Sequence, residues 1–197
     1  MPRVVNREAR RAELVSAAAT VFAQRGVANT TVGDIVKDAG VAQGTFYLYF
    51  DSKDDAVLAV VERVADAIIE NTTVRIEAAS SAVDKLLSLR SVLSGVDSEP
   101  EAAALTDLMH RPDNRILHDR LAEDMTLRLV PLLEAVVVQG VTEGVFSVED
   151  TRAAAWFVLA GLQSVELAGS ATPEMPAALA KATEFALRAL GYQGPRP

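Results

Sequence analysis

Apolar residues recur at helical spacing over most of the chain, and the breaks between runs carry the residues that stop helices. From Glu8 to Gln24, Leu14, Ala18, Val21 and Phe22 share one face, and Gly26 follows as a C-terminal stop. Thr30 or Thr31 can cap a short second helix with Val32, Ile35 and Val36 inward. It ends at Ala39-Gly40, where glycine tolerates the backbone of a tight turn. A third short helix is predicted from about Gln43 to Tyr49, and Asp51 or Ser52 can cap a long fourth beginning at Lys53. Beyond residue 70 the helical period continues over about 82–94, 99–110, 113–143, 149–168 and 176–190, with Gly, Pro or Asp in the interruptions. Pro131 falls inside the longest run and predicts a kink. With no convincing strand alternation, the expected fold class is all-α.

Composition adds a core and removes several chemistries. Half the residues are hydrophobic but only 5% aromatic, so an aliphatic core is available. There is no cysteine, which excludes disulfides, thiolate metal sites and cysteine nucleophiles together. The longest uncharged apolar stretch, residues 153–165, is shorter than the ~20 residues of a membrane-spanning helix and contains Gly161, Gln163 and Ser164. Glu8 and Glu13 argue against a secretion signal, so a cytoplasmic protein with no membrane partner is expected.

The net charge of −8 runs against nucleic-acid binding until its distribution is considered. Residues 1–50 carry six basic groups (Arg3, Arg7, Arg10, Arg11, Arg25, Lys37) against four acidic ones (Glu8, Glu13, Asp34, Asp38), leaving the remainder at −10. A mildly positive end on an acidic body would orient the protein on a duplex.

On a wheel of about 100° per residue, Phe46 and Phe50 fall together and Gly44, Thr45, Tyr47 and Leu48 spread over the opposite arc. Two phenylalanines thus anchor the third helix. The outward arc offers a hydroxyl, a phenol, an apolar side chain and a glycine that permits close approach. Gln43 beside it can pair bidentately with adenine. Tyr49 and Lys53 follow at the rim, where phosphates would lie. Two short helices joined through Ala39-Gly40-Val41, followed at once by an aromatic-rich helix and preceded by an arginine-bearing one, have the layout of a helix-turn-helix.

The segment Thr31-Val32-Gly33-Asp34-Ile35-Val36-Lys37-Asp38-Ala39-Gly40-Val41-Ala42-Gln43-Gly44-Thr45-Phe46-Tyr47-Leu48-Tyr49-Phe50-Asp51-Ser52-Lys53 resembles the DNA-binding signature of the TetR-like (tetracycline-repressor) family of bacterial regulators. The resemblance covers about residues 7–55. It implies about nine helices per subunit, a homodimer, and a palindromic double-stranded operator from which a repressor is released by a small-molecule effector. The family's DNA contacts carried onto matching positions are Thr31, Gln43, Thr45, Tyr47, Tyr49 and Lys53. Tyr49 stands where many members have histidine, which favours a phosphate contact there over a base contact. The implied organisation is a DNA-binding domain at 1–52, an effector-binding and dimerisation domain at 53–193, and a disordered tail at 194–197.

The resemblance also places the dimer interface on the last two long helices. Ala153, Ala160, Gly161, Ser164 and Ala168 are small enough for close helix approach, and Phe185, Leu187 and Leu190 supply bulk. The alternative is that these faces pack within one subunit. An effector pocket among the middle helices would draw on Leu89, Leu93, Leu105, Met109, Leu121, Met125 and Trp156, with His110, His118 and Gln163 as polar handles.

Two other readings compete. Asp107-Leu108-Met109-His110 sets a carboxylate and an imidazole three apart, as a di-iron helical bundle requires, but His118 is preceded at that spacing by Arg115 and the second motif is missing. There is no phosphate-binding glycine loop or nucleophile elbow, so neither an enzyme nor a bound metal or cofactor is expected. A helical interaction or ligand-binding protein without DNA function stays open, with Thr45, Tyr47 and Leu48 as a protein-binding patch.

Overall fold

The computed structural model describes residues 7–93, 115–169 and 175–195, and within them the fold is all-α. Eight helices occur among the described residues: α1 (Arg7–Arg25), α2 (Val32–Asp38), α3 (Gln43–Phe46), α4 (Lys53–Ala78), α5 (Ala82–Leu93), α6 (Arg115–Thr142), α7 (Thr151–Gly169) and α8 (Met175–Ala189). The helix expected at 99–110 lies outside the described residues, as do Leu105, Met109 and His110 and the side chains of Leu93, His118 and Ala168.

The chain divides into two compact units, one of residues 1–66 and 100–122, the other of 67–99 and 123–197. The division runs through α4. In the first unit, Leu14, Ala18, Val21 and Phe22 of α1 and Ile35 and Val36 of α2 are buried, with Phe46, Phe50 and the Ala56, Val57, Val60, Val61 and Val64 stripe of α4. Burying each of the larger aliphatic or aromatic side chains contributes about 1.5–3 kcal/mol. Arg11 adds a cross-tie, its guanidinium 5.4 Å from the Phe50 ring centroid and 3.8 Å from the Glu62 carboxylate.

The second unit is built on α7 and α8, which pack on each other and on α5. Its core takes Leu86 and Leu89 from α5, Ala155, Val158, Leu159 and Leu162 from α7, Leu179, Ala186 and Leu187 from α8, and Leu190 just beyond it. Helix α6 contains a stretch, Asp119–Thr142, long and apolar enough by length and composition to cross a bilayer. Its Met125, Leu129, Val130, Leu133, Val136 and Val137 form a buried stripe, the pattern of a core helix. The helix continues through Pro131, which is exposed on the opposite arc. Two polar contacts join α6 to α7: Thr126 Oγ1 to Gln163 Oε1 at 3.2 Å and Arg152 to Glu134 at 3.3 Å.

The α6–α7 connection depends on two glycines, Gly144 for its left-handed φ of +72° and Gly140, in the last turns of α6, for close contact. The Gly140 carbonyl accepts the N–H groups of both Val145 and Phe146, at 2.9 and 3.0 Å, so the chain folds back and buries the Phe146 ring against the helix. A Cβ at residue 140 would sit 2.0 Å from Phe146 Cδ2, so any larger residue displaces the ring. Beside this turn, Gln139 and Glu143 at the end of α6 clasp the start of α5. The Glu143 carboxylate accepts the Ala82 N–H at 3.1 Å, and Gln139 accepts from Lys85 at 2.8 Å while donating to the Ser80 carbonyl at 3.0 Å. Hydrogen bonds from the Gln139 side chain and the Ala82 N–H hold the Glu143 carboxyl below its ordinary range.

Candidate nucleic-acid interface

Helix α2 begins where its sequence predicts. Thr31 is the N-cap in extended backbone, and it forms a reciprocal capping box with Asp34. The Asp34 N–H donates to Thr31 Oγ1 at 3.2 Å, and the Thr31 N–H and hydroxyl both donate to Asp34 Oδ2, at 3.0 and 2.6 Å. Arg25 donates to the other carboxylate oxygen at 2.6 Å. The Thr31 hydroxyl and N–H, with Arg25, hold the Asp34 carboxyl below its ordinary range. A second capping box opens α4: Ser52 is the cap, not Asp51, with the Asp55 N–H donating to Ser52 Oγ at 3.2 Å and the Ser52 N–H to Asp55 at 3.0 Å.

Between these fixed ends lies the turn and α3. Gly40 takes the left-handed φ of +65° that the sequence assigned to glycine, and the Val41 N–H closes back on the Val36 carbonyl at 3.0 Å. Helix α3 is shorter than the period predicts, ending at Phe46 rather than Tyr49. The chain then tightens: Leu48 donates to the Thr45 carbonyl and Tyr49 to that of Phe46, three residues back, before Phe50 returns to a four-residue bond. The tightening brings both phenylalanines inward, with ring centroids 5.2 Å apart, and packs the Tyr47 ring edge-on to Phe46 at 5.5 Å.

The outward arc is largely as read from the wheel. Gln43 and Gly44 are exposed, Tyr47 is 52% exposed and Leu48 68%, while Thr45 and Tyr49 are half-buried and Phe46 is fully enclosed. Leu48 lies on the same outward arc as Tyr47 and is the more exposed of the two. Thr31 is exposed, but its hydroxyl is already engaged with Asp34. Lys53 is half-buried and its ammonium donates to the carbonyls of Val27 and Thr30 at 2.9 and 3.0 Å.

The remaining candidates separate by face. On α7, Ala153, Ala160, Gly161 and Ser164 are exposed, and so are Trp156 and Phe157 on the same arc. Trp156 therefore stands with the interface candidates, not with the core positions expected to line a pocket. Phe185 on α8 is 62% exposed among alanines, whereas Leu187 and Leu190 are each 1% exposed: these two belong to the subunit's own core, so the reading of them as interface residues is corrected. Of the pocket candidates, Leu89 and Met125 are core residues of the second unit, Gln163 is bonded to Thr126, and Leu121 is half-buried in the first unit. An open cavity of about 320 Å³ lined by Glu184, Leu187, Arg188, Tyr192, Gln193, Gly194 and Pro195 contains none of them.

Residues 14–60 match the model for bacterial regulatory proteins of the tetR family. The chain is 29% identical over 133 residues to the fatty acid metabolism regulator protein of Bacillus subtilis, covering 67% of this chain and 68% of that one. Further curated relatives, regulators of the helix-turn-helix type, are matched over about half their length. Among solved structures, a tetR-family transcriptional regulator from Pectobacterium atrosepticum superposes with a TM-score of 0.76 at 24% identity, covering 98% of this chain and 100% of that one. The regulator FadR from Bacillus subtilis, solved with stearoyl-CoA, superposes at 0.68 with 23% identity over 90% of this chain and 98% of its own. The signature over residues 14–60, the helix order and the capped α2-turn-α3 are thus similar to those of bacterial regulatory proteins of the tetR family, and support a DNA-binding transcriptional regulator.

Proposed function

We propose that this regulator is a homodimeric, cytoplasmic repressor that reads a palindromic operator with α3 and is released by a small-molecule effector. The observation that carries the reading is the outward arc at α3, where Gln43, Gly44, Tyr47 and Leu48 are exposed on a turn pinned by two enclosed phenylalanines. Gln43, Thr45 and Tyr47 supply base contacts, and Thr31 and Tyr49 face phosphate at the rim. Residues 1–52 form the DNA-binding part, and 53–193 hold the effector and the dimer contact.

Dimerisation is supported by the apolar surface of α7 and α8. Trp156, Phe157 and Phe185 are exposed in a single chain beside small residues that let helices approach, whereas soluble proteins seldom leave three large aromatics open to water in one unit. A single short helix reads only one half-site, and pairing two of them about 34–36 Å apart gives the length of site that specificity needs. Replacing Phe185 by Glu leaves the subunit core intact and is expected to weaken the dimer by about 100-fold or more, the scale of an aromatic interface hot spot. Sedimentation equilibrium reads this directly, and a Phe185→Glu protein that dimerises as tightly as wild type removes α8 from the interface.

Release requires only that the effector favour a dimer whose recognition helices no longer match the half-site spacing; couplings of about 1–3 kcal/mol are typical. The aliphatic composition of the second unit supports an effector with an aliphatic body. Acyl-CoA thioesters are the first class to test, in view of the stearoyl-CoA held by the similar FadR. Saturating stearoyl-CoA is expected to lower operator affinity by about 5–150-fold, and unchanged affinity excludes this ligand as the effector.

A further inference from the structure

Family resemblance makes Lys53 a phosphate contact, yet its ammonium is turned into the protein. It bridges the start of α4 to the α1–α2 turn, more than twenty residues earlier, through the Val27 and Thr30 carbonyls at 2.9 and 3.0 Å. Both acceptors belong to the α1–α2 turn, which the Asn29 side chain also braces by donating to the Arg25 carbonyl at 3.2 Å. Gly26 opens it at φ +78°, the Thr30 N–H makes a long 3.3 Å bond to the same Val27 carbonyl, and the buried Thr30 hydroxyl donates to the Gly26 carbonyl at 2.7 Å. The next residue, Thr31, caps α2, so the direction in which α2 leaves the turn is set by where the Thr30 carbonyl is held. A helix-turn-helix reads bases only when α2 and α3 stand at the right angle to the duplex. Two of the three ammonium protons are committed to this clasp.

We propose that Lys53 is a positioning residue: it fixes the α1–α2 turn on the first residue of α4 and so orients α3 in the groove, and its charge is not spent on a phosphate.

The test compares wild type with Lys53→Met and Lys53→Arg, all in the full-length protein and at a temperature where circular dichroism shows each folded. Binding to an operator duplex and to a scrambled duplex is measured over a range of salt. A positioning role predicts that Lys53→Met loses about tenfold or more in operator affinity, the scale of a lost charge-assisted hydrogen bond. Scrambled-duplex affinity and the salt slope stay at wild-type values, and Lys53→Arg, which keeps the charge but not the two-carbonyl geometry, does not rescue. A phosphate contact predicts the opposite: both duplexes weaken, the slope falls by about 0.9, and arginine rescues. A lysine that merely adds stability predicts a lower melting temperature with neither affinity changed. Either of the last two results overturns the proposal. Amide exchange in the free protein supplies a DNA-independent check, since Lys53→Met must speed exchange at Thr30 and Asp34, and unchanged protection there also overturns it.

Discussion

A Gly44→Trp protein will fold as well as wild type and will lose its operator. Gly44 is exposed, has an ordinary helical backbone, and a Cβ built on it meets nothing within 4 Å, so the substituted side chain costs no packing inside the chain. Glycine also weakens a helix relative to other residues by about 0.5–1 kcal/mol, so thermal stability should hold or rise slightly. On the DNA side the indole occupies the space through which the α3 backbone approaches the base edges. Base readout then fails as a whole, and affinity falls toward the non-specific level, about 1,000-fold or more below specific binding. Fluorescence anisotropy at fixed salt, beside a melting curve, reads both halves. A folded Gly44→Trp protein with wild-type affinity would mean that this arc does not face DNA.

Phe46→Ala has the largest expected effect on stability. The ring is fully enclosed, packs at a tilt on Phe50 and edge-on to Tyr47, so both of these aromatics lose their support at once. Truncating a buried phenylalanine typically costs about 3–5 kcal/mol, against a total domain stability of about 5–15 kcal/mol. Urea unfolding followed by tryptophan-independent circular dichroism should show the loss as a lowered midpoint, with operator binding lost in proportion to the unfolded fraction. A shift of less than about 1 kcal/mol would show that Phe46 is not the anchor of α3 and that the turn is held chiefly by its backbone.

These two residues were legible in the sequence because local chemistry determines them. Gly26, Thr31, Gly40 and Ser52 punctuate the first four helices, and each acts in the structure through its own neighbours, as a stop, a cap, a turn or a cap. The early end of α3 was not legible, since phenylalanines four apart suit a continuing helix as well as the three-residue bonds that form. Composition also could not tell the two sides of α8 apart: Phe185, Leu187 and Leu190 are all bulky, and only packing against α7 and α5 puts the last two inside. Trp156 suits a pocket lining by its apolar bulk, while the wheel of α7 sets it beside Phe157 on the open face. The Lys53 clasp and the Ala82–Glu143 bond end on backbone groups 23 to 61 residues away, and a backbone acceptor or donor leaves no mark in a side-chain pattern.

The central claim is that a dimer reads a palindrome through α3, and selection of the purified protein on randomised duplex DNA at near-physiological salt tests it most directly. The account predicts enrichment of two inverted half-sites, lost when the selection is repeated with Gly44→Trp. A folded, dimeric protein that enriches no duplex, or a single unpaired half-site, would contradict it.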